Sequence, residues 1–172
     1  MHSVAILVRL KIPDVTALTA SNALRRSMGY TQLKQLKRAD YYRLELVVDT
    51  QEQAVALASE LAEKTNLFVN PNKHVYEVWT SREEEAPAQG QLAHVLVTDP
   101  NDGSAQGMLA ALQGRLGYGG KVTGVTKGLL WTMVLDTDDP AEAKRLASEM
   151  AETKSLGQGL LVNPHFQEFE VW

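Results

Sequence analysis

The stretch Val69-Asn70-Pro71-Asn72-Lys73-His74-Val75-Tyr76-Glu77-Val78-Trp79 returns at the end of the chain as Val162-Asn163-Pro164-His165-Phe166-Gln167-Glu168-Phe169-Glu170-Val171-Trp172. The two align without a gap, sharing Val-Asn-Pro at the start and Glu-Val-Trp at the finish. Working outward, Leu57-Ala58-Ser59-Glu60-Leu61-Ala62-Glu63 is answered by Leu146-Ala147-Ser148-Glu149-Met150-Ala151-Glu152. Val47-Val48-Asp49-Thr50 is answered by Val134-Leu135-Asp136-Thr137, and Met28-Gly29-Tyr30 by Leu116-Gly117-Tyr118. Order is kept through every block while the spacing drifts by small steps, as happens when loops lengthen around a fixed framework. The chain reads as a tandem duplication, with a first module over 1–79, a linker over 80–91 and a second module over 92–172. The linker is polar, carries the run Glu83-Glu84-Glu85 and contains Pro87 and Gly90, which are marks of a connection rather than an element. Fully extended, such a stretch reaches at most about 40 Å.

Within each copy the periodicity predicts β-α-β-β-α-β. The first strand runs from Ser3 to Lys11, and its counterpart from Leu92 to Thr98. First helices are expected over Asp14 to Met28 and Asp102 to Leu116. In the latter Ala105, Met108, Leu109, Leu112 and Leu116 form one apolar stripe. Gly29 and Gly117 stand where a left-handed cap is needed. Two middle strands follow in each copy, Thr31 to Arg38 with Tyr41 to Asp49, and Lys121 to Thr126 with Leu129 to Asp136. Tyr42, Leu44, Leu46 and Val48 share one face. The second helices open on capping signals, Thr50 with Gln53 and Asp139-Pro140-Ala141-Glu142. This order implies an α+β fold of two ferredoxin-like (βαββαβ) modules, an antiparallel sheet with helices on one face. Each module alone leaves a sheet face uncovered, so the two are expected to pair as an intramolecular pseudo-dimer.

Composition narrows the function classes. The chain has 172 residues, 44% hydrophobic and 22% charged, with a formal net charge of −4 and no cysteine. Such a balance suits a packed core and lacks the basic face that nucleic acid requires. Absence of cysteine removes disulfides, thiol catalysis and thiolate metal sites, and fits a reducing cytoplasm. Met1-His2-Ser3-Val4 runs straight into a strand with no signal-peptide pattern, and no apolar run approaches the ~18 residues a membrane helix needs.

The motifs that invite chemistry have plainer readings. Gly114-Arg115-Leu116-Gly117-Tyr118-Gly119-Gly120-Lys121 fails as a phosphate loop. Lys121 is followed by Val122 rather than Ser or Thr, and the segment follows a helix instead of leading into one. It reads as a helix cap and turn. Asp136-Thr137-Asp138-Asp139 lacks the spaced ligands and closing glutamate of a cation loop and reads as a cap. His2, His74, His94 and His165 form no ligand spacing, and His74 aligns with Gln167 rather than with His165. No serine sits in a Gly-x-Ser-x-Gly elbow. Asn70-Pro71 and Asn163-Pro164 are the distinctive dipeptides. Each reads as a turn directing the chain into the last strand or as an exposed turn that docks a partner. Trp79 and Trp172 read as core or interface anchors. No catalytic, cofactor-binding or metal-binding residue is expected on this chain.

These blocks resemble the PurS-type small subunit of phosphoribosylformylglycinamidine synthase. The likeness rests on a first strand ending Val8-Arg9-Leu10-Lys11, and on Asp99-Pro100-Asn101-Asp102-Gly103-Ser104-Ala105 ahead of the second copy's first helix. It rests also on Met28-Gly29-Tyr30 and Leu116-Gly117-Tyr118 at the helix ends, and on Leu160-Leu161-Val162-Asn163-Pro164 before the last strand. The first copy departs from it in lacking an Asp-Pro-x-Gly segment, and a fused pair is itself unlike the single modules of the family. The resemblance implies a non-catalytic assembly subunit in de novo purine biosynthesis. It would join a synthetase (PurL-type) and a glutaminase (PurQ-type) subunit in an ATP-dependent carbon–nitrogen ligase with glutamine as amido donor. ATP and Mg would belong to the synthetase, and the chain would hold the two active sites in register for ammonia transfer. Further homodimerisation of the pseudo-dimer stays open. Two other readings also stay open: a small-ligand-sensing regulatory module of the tandem ferredoxin-like type, and a small cofactor-poor or haem-binding enzyme of the dimeric α/β-barrel kind.

Overall fold

The computed structural model describes residues 1–82 and 87–172, so residues 83–86 of the expected linker lie outside the described residues. The elements are β1 (His2–Leu10), α1 (Val15–Asn22) continued by a π-helical turn (Ala23–Ser27), β2 (Leu33–Leu46), α2 (Gln51–Lys64) and β3 (His74–Trp79). The second half repeats the order with β4 (Gln91–Thr98), α3 (Ser104–Gln113), β5 (Val122–Leu135), α4 (Pro140–Ala151) and β6 (Glu168–Val171). By hydrogen-bonded neighbours the strands run β3-β1-β2-β5-β4-β6, and the fold is mixed α+β with an antiparallel sheet.

One expectation is corrected. The two middle strands of each copy are a single long strand. No turn forms at Ala39-Asp40 or Lys127-Gly128, and β2 and β5 run through these positions unbroken. Only the far part of β2 pairs with β1, from His2 opposite Leu46 to Val8 opposite Asp40. Likewise β4 pairs with the far part of β5, from Gln91 opposite Leu135 to Val97 opposite Leu129. The remaining part of each strand finds its partner in the other copy. Val47 N–H donates to Lys121 O at 2.8 Å, and Asp136 N–H to Gln32 O at 2.8 Å.

The chain divides into two compact units, each drawing on both halves of the sequence. The first holds β1, β2 from Ala39 onward, α2 and β3, together with α3 and β5 as far as Gly128. The second holds β4, β5 from Leu129 onward, α4 and β6, together with α1 and β2 as far as Arg38. In each unit a four-strand sheet carries two helices, the ferredoxin-like layering. One helix and one strand segment of that layering come from the other copy.

Each core shows why. In the first unit Val4, Ile6 and Val8 alternate inward beside Tyr42, Leu44 and Leu46, and Ala54, Leu57, Ala58, Leu61 and Ala62 of α2 close over them. Leu112 of α3 is fully buried in the same cluster, with Met108, Leu109 and Leu116 packed against it. This is the apolar stripe read from the sequence. The second unit repeats the arrangement with Val95, Met133, Leu135 and the α4 face Ala143, Leu146, Ala147, Met150 and Ala151. Leu24 and Leu33 arrive from the first copy. Each fully buried leucine removes enough apolar surface from water to contribute about 2 kcal/mol.

The helix ends follow their side chains. Thr50 and Gln53 make both bonds of a capping box on α2. Asp139 caps α4 through Ala141 N–H with Pro140 in the first turn, while Glu142 turns aside to bind Arg145 instead of reaching back to the cap. Asp14 caps α1 through the N–H groups of Thr16 and Ala17. Gly29 and Gly117 take φ of +79° and +78°, and the following tyrosines donate N–H to Leu24 O and Leu112 O, closing the helix ends with a bond that reaches one residue further back than in the usual left-handed glycine cap. No helix among the described residues is long and apolar enough to cross a membrane.

Candidate functional site

The Asn-Pro turns are built alike. Asn70 Oδ1 accepts from Asn72 N–H at 3.0 Å, and Asn70 O accepts from Lys73 and His74 N–H at 3.0 and 2.8 Å. Asn163 Oδ1 accepts from His165 N–H at 3.1 Å, and Asn163 O accepts from Phe166 and Gln167 N–H at 3.1 and 2.9 Å. Proline cannot donate a backbone hydrogen bond, so the asparagine holds the turn through its own carbonyl and side chain. The asparagine N–H is satisfied in turn by His74 Nδ1 at 3.0 Å in the first unit and by Gln167 Oε1 at 2.9 Å in the second. The alignment of His74 with Gln167, read at first only as evidence against a metal pair, marks two residue types that place an acceptor at one point. Asn70, Pro71, Asn163 and Pro164 are all exposed.

The surroundings of the two turns differ. Beside the first lies a cleft of about 460 Å³ walled by Ala62, Val69, Val75 and Tyr76, with Lys11 and His74 at its margin. Lys11 Nζ donates to Pro71 O at 2.5 Å, and Lys11 N–H to Lys73 O at 2.9 Å, tying the turn to the end of β1. Tyr76 donates its hydroxyl to Glu63 at 2.7 Å. That hydrogen bond, with burial second, raises the phenol pKa above its ordinary value. In the second copy the aligned residues are Phe169 and Glu152, so the hydroxyl is gone, and the turn carries Phe166, 64% exposed, where the first has Lys73.

A second repeated feature was not read as a site. Tyr30 donates its hydroxyl to Glu149 Oε1 at 3.1 Å, and Tyr118 donates to Glu60 Oε1 at 2.9 Å. Both tyrosines follow the cap glycines and both glutamates lie in the Leu-Ala-Ser-Glu and Leu-Ala-Ser-Glu-Met blocks, so the signal was present in the alignment. Each bond ties the C-terminal end of a helix from one copy to the second helix of the other. Burial and the carboxylate raise the Tyr30 pKa, while at Tyr118 the hydrogen bond to Glu60 leads. Shallow clefts of about 400 and 410 Å³ adjoin the two pairs. In the second unit Arg145 is already held by Glu142 and Glu149. Donors and carboxylates here satisfy one another, which is the arrangement of a clamp.

The remaining motifs have structural duties. The Gly114–Lys121 segment is a cap and turn, with Lys121 and Val122 N–H both bonded to Tyr118 O at 2.9 and 3.0 Å. In the Asp136–Asp139 run, Asp139 caps α4 and Thr137 Oγ1 accepts from Asp139 N–H. His2 lies 2.9 Å from Gln51 Oε1, and buried His94 lies 3.1 Å from Thr132 Oγ1 and stacks on Trp172 at 5.4 Å. Among the described residues no three His, Asp or Glu side chains gather as a metal site. The site that remains is a surface: the first unit's Asn-Pro turn, its cleft and the strand beside it.

Residues 2–82 match the PurS family model, described as Phosphoribosylformylglycinamidine (FGAM) synthase. Searches of curated proteins and of solved structures gave no match.

Proposed function

We propose, from the match of residues 2–82 to the PurS family model, that the chain is a non-catalytic assembly subunit of the FGAM synthase complex. It bridges a PurL-type synthetase and a PurQ-type glutaminase, so that ammonia released from glutamine reaches the synthetase site out of water. ATP, Mg and the glutaminase nucleophile belong to the partners, and the chain's contribution is positional. The observation that carries the reading is the family match over the first copy, seconded by a second copy whose capping glycine, buried helix face and Asn-Pro turn have the same geometry. One chain thereby offers two modules already joined. A covalent link of this kind replaces a bimolecular association by an intramolecular one.

The test is size exclusion of the chain mixed with the synthetase and glutaminase of its own genome, in the presence of ATP, Mg²⁺ and glutamine. Co-elution of all three polypeptides is expected. Elution of the chain by itself, with the other two unaffected by it, would contradict the proposal.

A further inference from the structure

We infer that the Asn70-Pro71 turn is a proton-sensitive switch, untied when the His74 ring takes up a proton, and that the matching turn of the second copy is not. This goes beyond the assembly reading above and does not depend on it.

The two turns share their internal bonds. In each, the asparagine side chain accepts from the residue two positions on, and its carbonyl accepts from the residues three and four positions on. They differ in what receives the asparagine N–H. In the first copy it donates to a ring nitrogen, His74 Nδ1 at 3.0 Å, and in the second to an amide oxygen, Gln167 Oε1 at 2.9 Å. A backbone N–H can only donate, so this contact fixes the state of the ring. Nδ1 carries no proton, and the neutral ring holds its hydrogen on Nε2. An imidazolium has a proton on both nitrogens and accepts nothing. Once charged, the ring sets one donor against another and must turn away. Glutamine keeps its acceptor at every pH. Histidine is the side chain whose charge changes between about pH 5 and 8. A histidine in place of glutamine at this one position therefore makes the first turn conditional and leaves the second permanent.

The ring stands at the margin of the cleft, with β1, α2 and its own turn around it. Lys11, at the end of β1, and Glu63, on α2, are the charged residues lining that cleft, and Lys73 precedes His74 in the turn. Lys11 Nζ is held on Pro71 O, and Glu63 accepts from the Tyr76 hydroxyl. Arg9 and Glu77 pair with each other, and Glu77 lies on the opposite face of β3 from His74. The two lysines oppose a charge on the ring and Glu63 favours it. An ammonium has no acceptor to offer, so neither lysine can take over the Asn70 N–H. That bond lies where the chain leaves buried Val69, a wall of the cleft, for the exposed turn. It is present while the ring is neutral and is lost as pH falls through the ring's titration. In the second turn His165 bonds through its backbone N–H to Asn163 Oδ1, so a proton on its ring leaves the Asn163 to Gln167 bond intact.

The experiment is nuclear magnetic resonance on the isotopically labelled full chain from pH 8 to pH 5, with His74→Gln, which copies the second turn, and His74→Ala. Far-ultraviolet dichroism establishes that each protein stays folded across the range. Scalar coupling between the Asn70 nitrogen and His74 Nδ1 should be present at pH 8 and vanish as the ring charges. Asn70 amide protection against exchange should fall about fivefold, the scale of one hydrogen bond, while Asn163 stays within about twofold. His74→Gln should hold Asn70 protection throughout, and His74→Ala should show the low value already at pH 8. The inference is overturned if Asn70 protection stays level while the ring becomes charged, if the ring stays neutral down to pH 5, or if His74→Gln keeps the pH response. An equal fall at Asn70 and Asn163 would mark general loosening and overturn it as well.

Discussion

At the residue scale, single side chains hold the exchanged helices in place. Arg38 grips Asp14 through two bonds, Nε to Oδ2 at 2.9 Å and Nη2 to Oδ1 at 3.1 Å, and lies 5.9 Å from the centre of the Trp131 ring. In the other copy Lys127 reaches Asp102 at only 3.8 Å. A guanidinium fork makes paired bonds that an ammonium cannot. Asp14 therefore serves both as a helix cap and as an ion-pair partner, whereas Asp139 serves as a cap alone. Asp14→Ala is expected to lower stability by about 2 kcal/mol and Asp139→Ala by about 1 kcal/mol, read from urea midpoints. Loss of the hydroxyl in Tyr30→Phe or Tyr118→Phe should cost about 1 kcal/mol each, since the carboxylate left behind still meets water. Alkaline behaviour follows from Tyr42, whose phenol pKa is pushed by burial, and then by the charge of Asp40, from 10.0 to about 12. The folded state favours the neutral phenol, so this contribution is intact below pH 10 and is lost as pH rises through about 12. Tyr42→Phe, which cannot ionise, should keep more of its stability across that window. Equal loss in the variant and wild type would show that Tyr42 is not the group responsible.

At the element scale, what the sequence revealed and what it hid have physical causes. Helix caps were legible because they are local. Asp14, Thr50, Gln53, Gly29 and Gly117 act on backbone within a few residues of themselves. The buried faces of α2, α3 and α4 were legible because a helix repeats every 3.6 residues whatever covers it. Continuity of β2 and β5 was not. A strand from Leu33 to Leu46 is far longer than the usual five or six residues, so a turn at Ala39-Asp40 was the natural expectation. Nothing local distinguishes a hairpin from a strand that runs on into another core. Glycine requirements separate at this scale too. Gly29 and Gly159 share φ of +79°, but a methyl group at Gly29 would meet open space. At Gly159 it would lie 1.7 Å from Glu152 O. Gly29→Ala should therefore cost about 1 kcal/mol, while Gly159→Ala should cost several times more or reshape the loop between α4 and Val162. Circular dichroism with urea titration distinguishes these outcomes.

At the scale of the whole molecule, each compact unit needs segments from both copies. Residues 1–82 alone lack Leu112, Val122 and the partly buried Met108 and Leu109 that complete the first core. Periodicity reports which faces are buried and is silent about whose core receives them, so the sequence predicts two paired modules without predicting that each core takes a helix and a strand segment from the other copy. Expressed separately, 1–82 should be poorly folded or self-associated. Co-expressed with 87–172, it should recover native far-ultraviolet dichroism and co-purify. Independent folding of 1–82 as a monomer would contradict the exchange. The candidate surface was half legible: the Asn70-Pro71 and Asn163-Pro164 turns stood out, but the cleft beside the first turn arises from packing between segments distant in sequence.

A positional role, as opposed to a chemical one, is tested by the turnover of FGAM synthase reconstituted from its synthetase and glutaminase subunits, measured with and without this chain. With the chain omitted, amidine formation driven by glutamine should collapse while formation driven by added ammonium continues, because the synthetase site is intact and only delivery is broken. If both activities persist without the chain, or if both are lost together, the role argued here is wrong.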